Sequence, residues 1–136
     1  MPSFLPHSSI LAIAMVVDIA ANARNGSLVS AKSIEKRLGL SRRSTEWILQ
    51  TLSRAGLIKS RRGAEGGYRV PRSDITVTDI LRVIESGKTT PDMDHSSLAK
   101  KVILPALASA DRSFAAALAQ IKVSDLVAEA VRQRLN

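Results

Sequence analysis

The sequence predicts a mainly α-helical fold with one small β-hairpin: a winged helix-turn-helix domain followed by a long C-terminal dimerisation helix. Residues 57–70 combine a short apolar start, a basic turn with glycines and an alternating finish, which is typical of a hairpin with a cationic tip. Residues 30–56 have the pattern of two short helices joined by a tight turn. We expect residues 1–87 to form a DNA-binding domain, and residues 88–136 to supply a loop, the long helix and a last helix.

The composition allows a single domain with an aliphatic core. Of the 136 residues, 45% are hydrophobic but only 3% are aromatic, so the core must be built from Ala, Leu, Ile and Val. The chain has no cysteine, which excludes disulfides, thiolate catalysis and sulfur-ligated metals. A cytoplasmic protein is the simplest interpretation.

The net charge of +8 is concentrated in one segment. Between Lys32 and Arg72, 11 basic residues accompany three acidic ones, while the rest of the chain is balanced. Such a basic segment is typical of a surface that binds a polyphosphate. A membrane surface would attract the same charge, but these cations are interleaved with turn and hairpin signals instead of lining one amphipathic helix.

The N-terminal apolar run, residues 10–17, is predicted to be a buried first helix. It begins at a capping serine, Ser8 or Ser9, and continues to about Arg24. A secretory signal would begin with positive charge, whereas no Lys or Arg precedes Arg24 and Asp18 interrupts the apolar stretch. No run approaches the ~18 apolar residues of a membrane span, so we expect no membrane partner.

Two capped helices make up the predicted helix-turn-helix. Ser30 caps a helix over residues 31–38, which Gly39 ends, and Ser41 caps a third helix over residues 42–55. One face of this third helix is predicted to join the core through Thr45, Ile48, Leu49, Leu52 and Ala55. The opposite face carries Arg43, Trp47, Gln50 and Arg54. Trp47 either packs against a neighbouring helix or the wing, or contacts DNA.

The start of the third helix and the hairpin tip supply the candidate DNA-binding residues. The major groove of B-DNA admits an α-helix, in which Arg pairs with guanine and Glu accepts from cytosine. A wing needs charge to hold the DNA backbone and glycine, here Gly63, Gly66 and Gly67, to let the main chain come close. The candidates are Ser41, Arg42, Arg43, Ser44, Glu46, Trp47, Lys59, Ser60, Arg61, Arg62 and Gly63.

Beyond the wing, the sequence predicts three more helices. Thr76 or Thr78 caps a helix over residues 78–86, a polar loop follows from Gly87 to Ser97, and a long helical stretch then runs to about residue 121. Pro105 either kinks this stretch or delays its start. Apolar side chains spaced alternately by four and three form a seam for another helix, and a last helix covers about 125–135. The seam, which we predict to be the dimer interface, consists of Ile103, Leu107, Ala110, Phe114, Ala117 and Ile121.

No catalytic residue, cofactor or metal is expected. His7 and His95 lie 88 positions apart, and the loop carboxylates Asp92 and Asp94 show no ligand spacing. Residues 63–67 lack the glycine spacing of a phosphate-binding loop. They also lead into a predicted strand, whereas phosphate-binding loops lead into a helix.

These residues resemble the Rrf2-type family of bacterial winged helix-turn-helix regulators, over about residues 8–125. The resemblance is strongest across residues 34–41, 52–58 and 62–69, and the Arg-Gly-x-x-Gly-Gly-Tyr pattern of the wing is its most specific element. It implies that the long helix is the dimerisation element of a homodimer. Two recognition helices and two wings would then read a pseudo-palindromic operator in double-stranded DNA.

The chain departs from the family in two places. Cluster-binding members carry three cysteines in the loop that here spans residues 87–97. This chain has no cysteine, so the resemblance does not imply an iron–sulfur cluster of that kind. Trp47 replaces a glutamine that is typical of several members. The leading interpretation is a homodimeric repressor. The sequence does not identify its effector, for which a small molecule is one candidate. The alternative is a low-specificity architectural DNA-binding protein, or a winged-helix module that binds a protein.

Overall fold

The structure is a computed structural model that describes residues 4–23, 26–87 and 97–133. Within these residues it confirms the predicted class, because helices dominate and two strands form one antiparallel hairpin. The elements are α1 (His7–Asn22), α2 (Ala31–Leu38), α3 (Arg42–Arg54), β1 (Lys59–Arg61), β2 (Gly67–Arg69), α4 (Val77–Ser86), α5 (Leu104–Ala119) and α6 (Val123–Arg132).

Helix α1 lies at the centre of the core. Ala12, Met15, Val16 and Ile19 have no exposed surface, because α1 is packed against α2, α3, α4, α6 and β2. The predicted start of this helix was wrong: it begins at His7, directly after Pro6.

The two serines predicted to cap α1 lie inside it. Ser9 is fully buried, and its hydroxyl donates a 3.2 Å hydrogen bond to Glu85 Oε1. Ser9 therefore connects α1 to α4 instead of capping its own helix. The predicted end at Arg24 lies outside the described residues.

The helix-turn-helix matches its prediction closely. Ser30 Oγ accepts a hydrogen bond from the Ser33 N–H, and Ser41 Oγ accepts one from the Ser44 N–H, so both predicted caps are present. Gly39 has a φ of 65°, the left-handed conformation that ends α2. The predicted inward position of Ala55 was wrong, since α3 ends one residue earlier and leaves Ala55 exposed.

An ion pair joins α1 to α2. Arg37 donates from Nε to Asp18 Oδ1 and from Nη2 to Asp18 Oδ2, each over 2.8 Å. The Asp18 side chain is only 8% exposed, whereas that of Arg37 is 35% exposed. The hydrogen bond with Asp18 raises the pKa of Arg37, although partial burial opposes this effect. Asp18, which interrupts the apolar run of the sequence, therefore positions the first helix of the helix-turn-helix.

The N-terminus of α4 also holds the end of the long helix. Thr76 Oγ1 accepts from the Asp79 N–H while the Asp79 carboxylate accepts from the Thr76 N–H, a capping box. The Val77 N–H donates to the Ile121 carbonyl over 2.9 Å, and the Val123 N–H donates to the Ile75 carbonyl over 2.8 Å. These bonds return the chain to the core, where α6 packs on α1.

Pro105 is accommodated without ending the helical stretch. A π-helical turn, Ala99–Ile103, directly precedes α5, and the Leu104 N–H donates to the Ala99 carbonyl, five residues back. Because proline has no N–H and its ring displaces the carbonyl four residues earlier, a locally widened turn relieves both problems.

By length and composition alone, the helix Ala99–Ala119 is apolar enough to cross a membrane, although its uninterrupted apolar runs are much shorter than the ~18 residues of a span. Asp111 and Arg112 lie near its middle. A charged side chain costs about 3 kcal/mol or more at the centre of a bilayer, so these two charges would oppose insertion of this helix.

We predict that the two members of the α1–α2 ion pair contribute unequally to stability. Arg37→Met keeps most of the aliphatic stem but leaves the buried Asp18 carboxylate unpaired, and we expect it to lower the free energy of unfolding by about 2–3 kcal/mol. Asp18→Asn leaves a partly exposed guanidinium that water can solvate, and we expect a loss of about 1 kcal/mol. Urea unfolding at pH 7 measures both changes. A larger loss for Asp18→Asn would contradict this account.

Candidate nucleic-acid interface

The start of α3 presents polar and charged side chains to solvent. Ser41, Arg42, Arg43, Ser44 and Glu46 are all exposed, as is Trp47, at 38%. The buried residues of the same helix, among them Thr45 and Ile48, face the core. The Ser41 hydroxyl is engaged by the cap and also donates to Ser44 Oγ over 3.1 Å, so its first role is to begin the helix.

Arg42 and Glu46 form an ion pair along the exposed face of α3. Arg42 Nε lies 2.8 Å from Glu46 Oε1, one helical turn away. The hydrogen bond with Glu46, followed by the charges of Glu46 and Glu35, raises the pKa of Arg42. Arg42 engages only Oε1 of the Glu46 carboxylate, so the second oxygen keeps the capacity to accept a hydrogen bond from a base. Arg43 makes no such pair among the described residues.

The wing is an antiparallel hairpin with a five-residue loop. Lys59 pairs with Arg69, Ser60 with Tyr68 and Arg61 with Gly67. All the candidate residues of the wing, Lys59, Ser60, Arg61, Arg62 and Gly63, are exposed. The hairpin is tied to the core by residue 29, since the Val29 N–H donates to the Tyr68 carbonyl and the Tyr68 N–H donates back to the Val29 carbonyl.

Two of the wing glycines are required by close packing of the protein with itself. A Cβ added at Gly66 would lie 2.1 Å from the Arg61 carbonyl oxygen, and one at Gly67 would lie 2.6 Å from the Val29 carbonyl oxygen. Gly67 also has a φ of 148°, which side chains rarely adopt. These contacts give Gly66 and Gly67 a structural role within the protein, and the expectation that they let the main chain approach a ligand stays a prediction. Gly63 differs, since a Cβ there would meet open space.

One groove brings α3 and the wing together. Its volume is about 470 Å³; Arg43, Glu46, Trp47 and Gln50 line one side, and Ser60 and Tyr68 line the other. Candidate residues that the sequence predicted on two separate elements thus share one surface. Trp47 also borders a second groove, between α3 and the end of α4, that includes Val83 and Gly87.

Carboxylates within the fold neutralise part of the positive charge of residues 32–72. Arg37 is bound to Asp18, Arg42 to Glu46, and Arg72 lies 3.8 Å from Asp74. Among the described residues of this segment, the exposed cations without a carboxylate partner are Lys32 and Lys36 on α2, Arg43 and Arg54 on α3, and Lys59, Arg61, Arg62 and Arg69 on the wing. Most of the uncompensated charge therefore lies on α3 and the wing, and the rest on α2.

The predicted dimer seam follows one side of the long helical stretch. Leu107 is 51% exposed, Phe114 45% and Ile103 44%, although each is a large apolar side chain. Ala110, Ala117 and Ile121 are exposed as well. The described residues leave about half of each of these large side chains uncovered, and the role of the seam as an interface stays a prediction.

The fold and this surface place the chain in the class of winged helix-turn-helix proteins. A family model described as an iron-dependent transcriptional regulator, Rrf2, matches residues 6–129. The chain therefore belongs to the Rrf2 family of transcriptional regulators, as its wing pattern suggested.

Curated relatives match over about half of their length. The chain is 40% identical over 76 residues to the protein aau3 of Rhizobium meliloti, and 35% identical over 77 residues to the regulator IscR of Cereibacter sphaeroides. These matches cover 54% of this chain and 48% and 50% of the two relatives. The chain thus spans about half the length of the curated relatives it matches.

Solved structures match over nearly the whole chain. The IscR of T. potens superposes with a TM-score of 0.72 at 32% identity, covering 96% of this chain and 90% of that one. The B. subtilis regulator CymR gives a TM-score of 0.67 at 26% identity, covering 95% and 98%. The relatives named IscR and CymR are transcriptional regulators, which agrees with the prediction that the chain is not an enzyme.

The family description names iron, and an iron–sulfur cluster held by cysteines does not fit the donor set of this chain. The sequence contains no cysteine, so it has no thiolate to hold an iron–sulfur cluster. The described residues contain no group of three or more His, Asp or Glu side chains placed to bind a metal. Asp92, Asp94 and His95 lie outside those residues, and His7 stands at the exposed start of α1.

We predict that the wing fails when Gly66 is replaced. In Gly66→Ala the new Cβ would overlap the Arg61 carbonyl, so the hairpin must open, at a cost of about 2 kcal/mol or more in the free energy of unfolding. Gly39→Ala is the matched control, because Gly39 has a positive φ but open space around it, and we expect a cost of about 1 kcal/mol. Equal losses in thermal or urea unfolding would show that packing at Gly66 is unimportant.

Proposed function

We propose that this chain is a sequence-specific DNA-binding transcriptional regulator that acts as a homodimer, more specifically a repressor, in the cytoplasm. The observation that carries the proposal is the shared groove, in which base-reading residue types on α3 adjoin the wing. Arg43 and Glu46 are suited to guanine and cytosine edges, and Lys59, Arg61 and Arg62 are suited to phosphates. Membership of a family of transcriptional regulators supports the same function.

The homodimer follows from the uncovered seam on the long helix. An apolar stripe of this length on a helix is stable in water only when a second helix covers it. A second copy of the chain supplies an identical stripe, and the two-fold symmetry of such a pair matches a pseudo-palindromic operator. Bound across an operator, the dimer would exclude other proteins from the same DNA, which is the simplest route to repression.

Binding to DNA should fall steeply with salt. About six phosphate contacts from the wing and α3 would give a slope of roughly −5 for the logarithm of the association constant against the logarithm of salt concentration. Fluorescence anisotropy with a labelled duplex between 50 and 300 mM salt, roughly the range in which counterion release dominates, measures the slope. A flat dependence would exclude DNA as the ligand of the basic surface.

The wing and α3 should contribute differently to recognition. Arg62→Ala removes a phosphate contact, so it should weaken binding to all sequences together. Arg43→Ala and Glu46→Ala should each relax discrimination by about 1–3 kcal/mol at one base pair. Arg132→Ala, which removes an exposed cation from α6, is the control and should change neither quantity. Parallel binding to an in vitro selected site and to single-base variants separates the two effects.

A charge placed on the seam should give a monomer. Phe114→Glu would bury a carboxylate between two helices, at a cost that a marginal interface does not tolerate, and operator binding should be lost with the dimer. Val131→Glu is the matched control, because Val131 lies on α6 with an exposure of 44% against 45% for Phe114. Analytical ultracentrifugation gives the masses. A dimer that persists in Phe114→Glu would contradict the proposed interface.

A further inference from the structure

Trp47 is an isolated apolar side chain on the surface that the cations occupy. Between residues 26 and 87, all of which the structure describes, it is the one large hydrophobic side chain that is exposed. It is also the only tryptophan of the chain. Trp47 is 38% exposed, and each Å² of apolar surface left in water is unfavourable by about 25 cal/mol, so its position needs a reason.

Folding does not supply that reason. The core face of α3 is complete with Thr45, Ile48, Leu49 and Leu52, each of which is buried. Trp47 stands on the outer face of the helix, between the groove shared with the wing and the groove shared with α4. Its side chain therefore forms a ridge between two grooves and fills neither completely.

The surroundings of Trp47 are unsuitable for a protein partner. Arg43 lies one turn before it and Arg54 about two turns after it on the same face, while Gln50 and Ser60 line the adjoining groove. Protein interfaces are built on contiguous apolar patches from which charge is depleted at the centre. A single apolar group within a cationic surface suits a ligand that presents phosphates together with isolated apolar groups.

The major groove of DNA has this chemistry. Among the groups on the edges of the four base pairs in that groove, the C5-methyl of thymine is the apolar one, and the remaining groups are hydrogen-bond donors and acceptors. Trp47 is the sixth residue of α3, one turn after Arg43 on the same exposed face. Gln50, one turn further, is of the type that pairs with adenine, the partner of thymine.

We propose that Trp47 is a specificity-determining residue that covers the C5-methyl group of a pyrimidine, thymine in unmodified DNA, in each half-site. The inference rests on the proposed DNA-binding function and adds the chemical group that α3 recognises. 5-Methylcytosine carries the same methyl group at the same position of the groove. A site read in this way distinguishes a methylated from an unmethylated pyrimidine without a hydrogen bond.

The test uses the full chain and duplexes that differ by single methyl groups. A site is first selected from a random duplex library, and each thymine of the selected site is then replaced by deoxyuridine, one at a time. At one position in each half-site, we expect removal of the methyl to weaken binding about fourfold, the value for one buried methyl group. A 5-methylcytosine–guanine pair and an unmethylated pair at that position show whether the methyl acts independently of the rest of thymine.

Variants assign the effect to Trp47. Trp47→Ala should bind the thymine and deoxyuridine duplexes equally, and Trp47→Phe should retain part of the difference, so that the double-mutant cycle isolates the contact. Gln50→Ala, a neighbour on the same face, should keep the fourfold difference. Because Trp47 is the only tryptophan, acrylamide quenching of its fluorescence reports directly whether the ring is covered when the selected duplex binds.

The outcomes separate this inference from the function on which it rests. A selected site in which no deoxyuridine substitution weakens binding would overturn the inference and leave the DNA-binding function intact. A deoxyuridine effect that persists undiminished in Trp47→Ala would also overturn it. If the library yields no enriched sequence, the sequence-specific function itself is wrong. Thermal unfolding of each variant shows that lost binding does not come from lost folding.

Discussion

The fold depends on the burial of α1, because every element that presents the basic surface is held directly or indirectly against this helix. Four of its apolar side chains have no exposed surface at all, and its buried charged group, Asp18, is neutralised by Arg37 of α2. A carboxylate with 8% exposure costs free energy unless it is paired, so the bidentate contact restricts where α2 can lie. The turn that follows α2 is short and fixed by Gly39, so the placement of α2 also places α3.

The wing is held against the core by backbone hydrogen bonds and close main-chain contacts. The strand β2 is bonded on one side to β1 and on the other to Val29, in the segment between α1 and α2. Gly66 and Gly67 are the positions where main chain meets main chain at a distance that leaves no room for a Cβ. The wing and α3 are thus both held against the core, and residues from both line a single groove.

The sequence was sufficient for the helix-turn-helix, where local chemistry decides the structure, although the same capping argument misplaced the start of α1. Both helix-turn-helix caps and the left-handed Gly39 follow from the residues themselves, since capping and positive φ are properties of one or two residues. It was insufficient where partners are distant in sequence. Asp18 seemed only an interruption of an apolar run, because its partner lies 19 residues away. The bond of Ser9 to Glu85 spans 76 residues, and Val29 carries no signal that it pairs with Tyr68.

Exposed apolar surface occurs in two forms in this molecule, and the difference between them separates two roles. On the long helix the exposed side chains are contiguous, from Ile103 past Phe114, and they lie outside the basic segment. A continuous stripe of that kind gains free energy only from an equally continuous partner, which a second copy provides. On α3 the exposed ring of Trp47 stands alone among cations, where a continuous apolar partner would have to desolvate charge without compensation. The two surfaces therefore suit different ligands. The stripe on the long helix suits an extended protein surface, whereas the surface around Trp47 suits a polyanion with isolated apolar groups.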